Sequence, residues 1–245
     1  MTALLEEPSF YFLGFDVGAE IINKVLPDHK LNFNLIQVAL PRIYRQKYLY
    51  CIALYHELGH YVDKHYRISE ISLVLDPPDP PLARKEYNHR MEFFADLFAV
   101  SYAGLSMNTF LTGFAGRAVE TESHPSTECR IEVVSDFIGG KTRIEIDRIT
   151  QALECLRLPK LQIRYQVPSI AASFNTIRPY GIQSLAELHG IVPAAWDYLQ
   201  DALTKKSIPW QQANESSTEK IVNDLVEKSV RNWMITEKWN YAATS

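Results

Sequence analysis

The stretch 47-KYLYCIALYHELGHYVDKHY-66 decides how this chain is read. It contains no proline, and its apolar residues recur at helical spacing, so a helix is expected from about Arg45 to Tyr66. Inside it lies 56-HELGH-60. An α-helix turns about 100° per residue, so residues four apart share a face, and the imidazoles of His56 and His60 can hold one metal ion. Glu57 stands about 100° round from His56, near enough to act on a water at the metal without being a ligand. His65 lies roughly 140° round from His60, which excludes it from the same ion.

A catalytic zinc needs a third protein ligand and an open fourth position. The candidate is Glu92 in 91-MEFFADLF-98, on a second long helix expected from about Leu82 to Ala103. Asp96 follows at i+4, on the same face of a segment otherwise made of Met, Phe, Ala and Leu. Burying two unpaired carboxylates there would cost several kcal/mol each, which a metal and an imidazole N–H would offset. Glu92 as ligand and Asp96 as acceptor for a histidine N–H account for both acids together. The alternative is an exposed acidic stripe that also holds His89 and Arg90. Glu86 is the rival third ligand, but its i+4 neighbour is Arg90 rather than an acid.

The 245 residues suit one sizeable domain, or one domain with a small appendage. A net charge of −4 provides no basic field for nucleic acid or anionic lipid. Cys51, Cys129 and Cys155 form no CxxC and no disulfide framework, and Cys51 is expected to be a buried, inert thiol. The opening MTALLEEPSFYFLGF lacks a signal-peptide pattern, and the most apolar window, Glu92 to Ala115, carries two acids. The expectation is a cytoplasmic protein with no membrane span. No nucleotide loop, GxSxG or Rossmann fingerprint is present.

Strands are expected at Phe10 to Phe15, at 32-NFNLIQVAL-40 and at the alternating 68-ISEISLVL-75, with a short helix from Val17 to Leu26. The second or third strand could offer an edge for an extended substrate. A third helix should run to about Arg117, another from Pro125 through Phe137, and another from Thr142 to Leu156. Beyond residue 160 the pattern weakens. Ser184-x-x-Glu187 and Ser216-x-x-Glu219 read as capping boxes of two further helices, the last with Ile221, Leu225 and Trp233 on one stripe. His29 and His189 read as surface residues, and Tyr55, Tyr61 and Tyr66 either line a cleft or simply pack.

HExxH followed by ExxxD on a later helix resembles the gluzincin metallopeptidases. That resemblance implies His56, His60 and Glu92 as zinc ligands, Glu57 as general base and Asp96 as the residue holding His56. HELGHYVDKH at 56–65 is similar to a stretch of the HtpX and CAAX-prenyl-protease family, and 124-HPSTECRI-131 matches that family's HPxxxxRI segment. The family's His and Arg face the active site, which implies substrate or transition-state contacts for His124 and Arg130, the alternative for His124 being a place in the fourth zinc position at rest. That family carries transmembrane helices, so its membrane location and prenylated substrates are not inherited. HELGHY, the 31 residues between His60 and Glu92, and the ExxADxFA pattern also resemble the ImmA/IrrE regulatory peptidases, which lack HPxxxxRI.

The expected fold is α+β and mainly helical: a zincin-like metallopeptidase domain over residues 1–158, with a small sheet beside the HExxH helix. A helical region, 159–245, should pack on it or recruit a protein partner. The expected function is that of a one-zinc metalloendopeptidase acting on a protein or peptide. The alternatives are an ImmA/IrrE-like protease acting on a repressor, or a non-catalytic zinc-stabilised interaction protein.

Overall fold

The computed structural model describes residues 2–5, 11–14, 24–25, 36–206 and 208–244. Three short strands precede the motif helix: β1 (Thr2–Leu5), β2 (Tyr11–Gly14) and β3 (Ile36–Pro41), in the order β1-β3-β2. β1 runs parallel to β3 with Thr2 opposite Val38, and β2 runs antiparallel to it with Phe12 opposite Val38. Most of the strand expected at Phe10 to Phe15 coincides with β2; the helix expected over Val17 to Leu26 and the start of the 32–40 stretch fall largely outside the described residues.

Everything described beyond Pro41 is helix, turn or irregular chain. α1 (Ile52–Tyr66) carries the motif, and α2 (Ile68–Leu75) follows after a single residue, Arg67, in the left-handed conformation. Then come α3 (Ala83–Ala103), α4 (Ser106–Ala115), α5 (Thr127–Ile138) and α6 (Ile144–Cys155). The last third holds the short α7 (Ala171–Phe174), α8 (Leu185–Lys205) and the long α9 (Glu215–Thr244).

The α+β expectation is therefore corrected: the body of the protein is helical, and Ile68–Leu75 is a helix rather than a substrate-binding edge strand. An eight-residue apolar run does not tell strand from helix by period alone. Here the neighbourhood decides. Buried Asp63, near the end of α1, accepts the Ser69 backbone N–H at 2.7 Å and so supplies a donor-satisfying cap to α2 from outside the helix. Arg90 of α3 then clamps α2 from the other side, donating from Nη1 to Ser72 O at 2.7 Å and from Nη2 to Asp76 O at 2.9 Å.

One contiguous core runs through the helices, with Ile52 of α1, Phe94 and Leu97 of α3, Val133 and Val134 of α5 and Ile149 of α6 buried within it. The C-terminal third joins this core rather than standing apart. Trp196 of α8 donates from Nε1 to Leu49 O at 3.0 Å, and Asn223 of α9 donates from Nδ2 to Gln46 O at 2.6 Å. Both bonds pin the turn that leads into α1. Ser184 caps α8 as expected, accepting the Glu187 N–H at 3.2 Å. The second capping box is corrected: Asn214 accepts the Ser217 N–H at 2.8 Å, and Ser216 lies inside α9. Asn is as good a cap as Ser, and the upstream candidate wins.

Candidate metal centre

α1 and α3 form the most extensive helix pair, and one residue sets how closely they approach. A Cβ on Gly59 would lie 2.7 Å from Ala95 Cα and 3.1 Å from Ala95 O, so the glycine lets the two backbones meet. Gly59 lies between His56 and His60, and Ala95 between Glu92 and Asp96. The contact therefore places two imidazoles over two carboxylates. The sequence carries a signal for this, since Gly59 is the lone glycine in α1.

His56 Nε2 and His60 Nε2 stand 3.1 Å apart. Glu92 Oε2 is 3.5 Å from the first and Oε1 is 3.3 Å from the second. Ligands bound at about 2.0–2.1 Å round a tetrahedral ion stand about 3.3 Å from one another. The three groups have that spacing, and together they could hold a metal ion. Glu92 Oε2 is buried without a hydrogen bond of good geometry, its charge balanced by His56 Nε2 at 3.5 Å and Arg130 Nη2 at 3.2 Å. His124 lies outside this group, so among the described residues no fourth protein ligand closes it.

The surroundings are charged and mostly buried. Asp96 is fully buried, with Oδ1 2.9 Å from His56 Nδ1, although this approach is off the line of a good hydrogen bond. Arg130 of α5 donates from Nε to Asp96 Oδ2 at 2.6 Å and from Nη2 to Asp96 Oδ1 at 2.7 Å. Its Nη2 also lies 3.2 Å from Glu92 Oε2. Burial pushes the Asp96 carboxyl upward, but Arg130 and then His56 outweigh it and hold the group below the usual range. Glu92 is likewise held well below that range, because His56, His60 and Arg130 overcome its burial. For His56 burial opposes charge, yet Asp96 and Glu92 raise its pKa to about 9.

Glu57 is buried on α1 beside His56. His124 is more than half exposed, and its Nε2 is 3.6 Å from Glu92 Oε1. A turn shapes its backbone: the His124 N–H donates to Thr121 Oγ1 at 3.0 Å, and the Thr121 N–H donates to His124 O at 2.9 Å. The structure thus brings together His56, His60, Glu92, Asp96, Arg130 and the edge of His124. Arg130, expected to face substrate, is instead buried against the two acids of α3. Glu86 turns to Arg90 and Arg148 rather than to the histidines.

One further residue departs from the expectation. His189 is not a plain surface residue: its Nδ1 shares a hydrogen bond of 2.7 Å with the Tyr55 hydroxyl, and its ring packs edge-on to Tyr102. Tyr55 in turn stacks on Tyr102, so the residue before His56 is braced by α3 and α8 together. Cys51 is half-buried, and desolvation pushes its thiol up to about 12, as suits an inert sulfur. No described helix is long and apolar enough to cross a membrane. The chain matches no family model, no curated protein and no solved structure.

Proposed function

We propose that this protein is a zinc-dependent metalloendopeptidase of gluzincin type, similar to the HtpX and CAAX-prenyl-protease family in its motifs. The observation that supports the reading is the three-ligand group with no fourth protein ligand among the described residues. Structural zinc sites close all four positions, whereas catalytic ones leave one for water or substrate. Two histidines and one carboxylate are the donor set for a borderline-soft ion such as zinc.

Zinc, when bound, acts as a Lewis acid towards a peptide carbonyl and lowers the pKa of a water towards about 7. The chain's own residues then divide the work. Glu57 takes the proton released by the attacking water and hands it to the leaving amine. His124, at the exposed edge of the group, donates to the oxygen on which charge develops. Asp96, 2.9 Å from His56 Nδ1, favours the ring protonated there, which leaves the Nε2 lone pair towards Glu92 and His60. Substrates are protein or peptide segments; regulation of a repressor by cleavage, as in ImmA/IrrE-like proteases, is the narrower version of the same chemistry.

The test compares wild type with Glu57→Gln for bound zinc and for hydrolysis of an unfolded protein. The expected result is about one zinc in both and turnover in the wild type alone. Zinc in both with hydrolysis in neither would replace the enzyme by a zinc-stabilised interaction protein. Loss of zinc in Glu57→Gln would mean that Glu57 serves as a ligand.

A further inference from the structure

We infer that Arg130 is a positioning residue for the metal ligands and not a group that touches substrate, an inference that rests on the metal site proposed above. A substrate-binding arginine presents free N–H groups to a cleft. Arg130 is nine-tenths buried and aims its fork inward. Its Nε and Nη2 take both oxygens of Asp96, and the same Nη2 reaches Glu92 Oε2. One guanidinium therefore touches the carboxylate that ligates and the carboxylate that orients a ligating histidine. Asp96 Oδ1 is the shared atom, contacted by Arg130 on one side and by His56 Nδ1 on the other.

The chain of contacts explains why an arginine serves here. Two carboxylates one helical turn apart on α3 would repel and swing apart if left alone. A planar fork with fixed N–H directions matches both oxygens of one carboxylate and still reaches the other, which a lysine ammonium does not do. Arg130 can be placed this accurately because it lies in the first turn of α5, where Ser126 caps the helix through the Cys129 N–H at 3.2 Å and the Arg130 N–H donates to Ser126 O at 3.1 Å. The HPxxxxRI segment thus does two separate things: its histidine borders the open side of the metal group, and its arginine props the group from behind.

The experiment loads wild type, Arg130→Ala and Arg130→Lys with Co²⁺, reads the visible ligand-field spectrum and measures zinc affinity by chelator competition. The expected result is a 10–100-fold loss of zinc affinity and a shifted cobalt spectrum in Arg130→Ala, with Arg130→Lys between it and wild type. If Arg130→Ala does not fold, Arg130→Lys keeps the charge and carries the same test through its spectrum. Wild-type metal affinity and spectrum in both variants, with hydrolysis reduced, would return Arg130 to the substrate and overturn the inference. A wild-type chain that takes up neither ion would remove the metal site and this role with it.

Discussion

Two buried aspartates in this protein meet opposite fates. Asp96, where α3 crosses α1 and α5, is held ionised below the usual carboxylate range. Asp63, at the junction of α1 and α2, is raised to about 6. Both are almost wholly inaccessible, and burial is the largest influence on each. The difference lies in the partners. Asp96 has a guanidinium on both oxygens and an imidazole beside it, whereas Asp63 has the Ser69 N–H and only a weaker influence from His60. A buried acid kept charged by a cation is equipped to orient a metal ligand. A buried acid kept by a peptide N–H is a helix cap whose charge is a liability.

Three substitutions sharpen or break that contrast. The largest effect is expected from Asp96→Ala, which takes both short hydrogen bonds from the buried Arg130 guanidinium and leaves it Glu92 alone. The metal-free protein should lose about 3–5 kcal/mol in denaturant unfolding, and zinc should bind roughly 10–100-fold more weakly. A loss within about 0.5 kcal/mol would place Asp96 among ordinary surface acids and end the comparison.

Gly59→Ala comes next. The added methyl meets Ala95 backbone at a distance that neither helix can relieve by rotating a side chain. Overpacking of this kind costs about 1–3 kcal/mol and should part the histidines from Glu92. Zinc affinity should fall while the pH dependence contributed by Asp63 stays as it was. Unaltered zinc affinity would show that the helix spacing is not what gathers the ligands.

The smallest effect belongs to Asp63→Asn. Because the folded pKa lies above the unfolded value near 3.9, the folded chain binds more protons than the unfolded one between about pH 4 and pH 6. Stability from this group is therefore present at low pH and lost as pH rises through about 6. The neutral amide still accepts the Ser69 N–H, so Asp63→Asn should be more stable than wild type at pH 8 and no different from it near pH 4. Equal stabilities at both pH values would mean that the carboxylate is better compensated than its single N–H bond indicates.

Helical spacing alone made His56, His60, Glu92 and Asp96 legible, because i,i+4 pairs on two helices need no tertiary knowledge to share a face. What remained hidden depends on crossings. The direction of Arg130 follows from where α5 meets α3, and no local pattern encodes that. Tyr55 and His189 are 134 residues apart, and nothing near either one announces the other. The α2 segment, ISEISLVL, is compatible with both periods, and the contacts that decide for a helix, from Asp63 and Arg90, lie outside it.

The loop before α5 is tied repeatedly to one helix. Lys85 of α3 pairs with Glu120, Asn88 donates to Glu122 O at 3.1 Å, and His89 shares a 2.8 Å hydrogen bond with Thr121 O. The loop that carries His124 is thereby fastened to α3, the helix of Glu92 and Asp96, to which Arg130 is also joined through its fork. His56, Glu57 and His60 belong to α1. The site is built as two jaws, with His56, Glu57 and His60 on one, and Glu92 and the exposed imidazole of His124 on the other. Their fulcrum is the bare backbone contact at Gly59 and Ala95. Any ligand that levers the helices apart would disassemble the metal group without touching a single metal ligand, and any that clamps them would set the spacing of all of them at once.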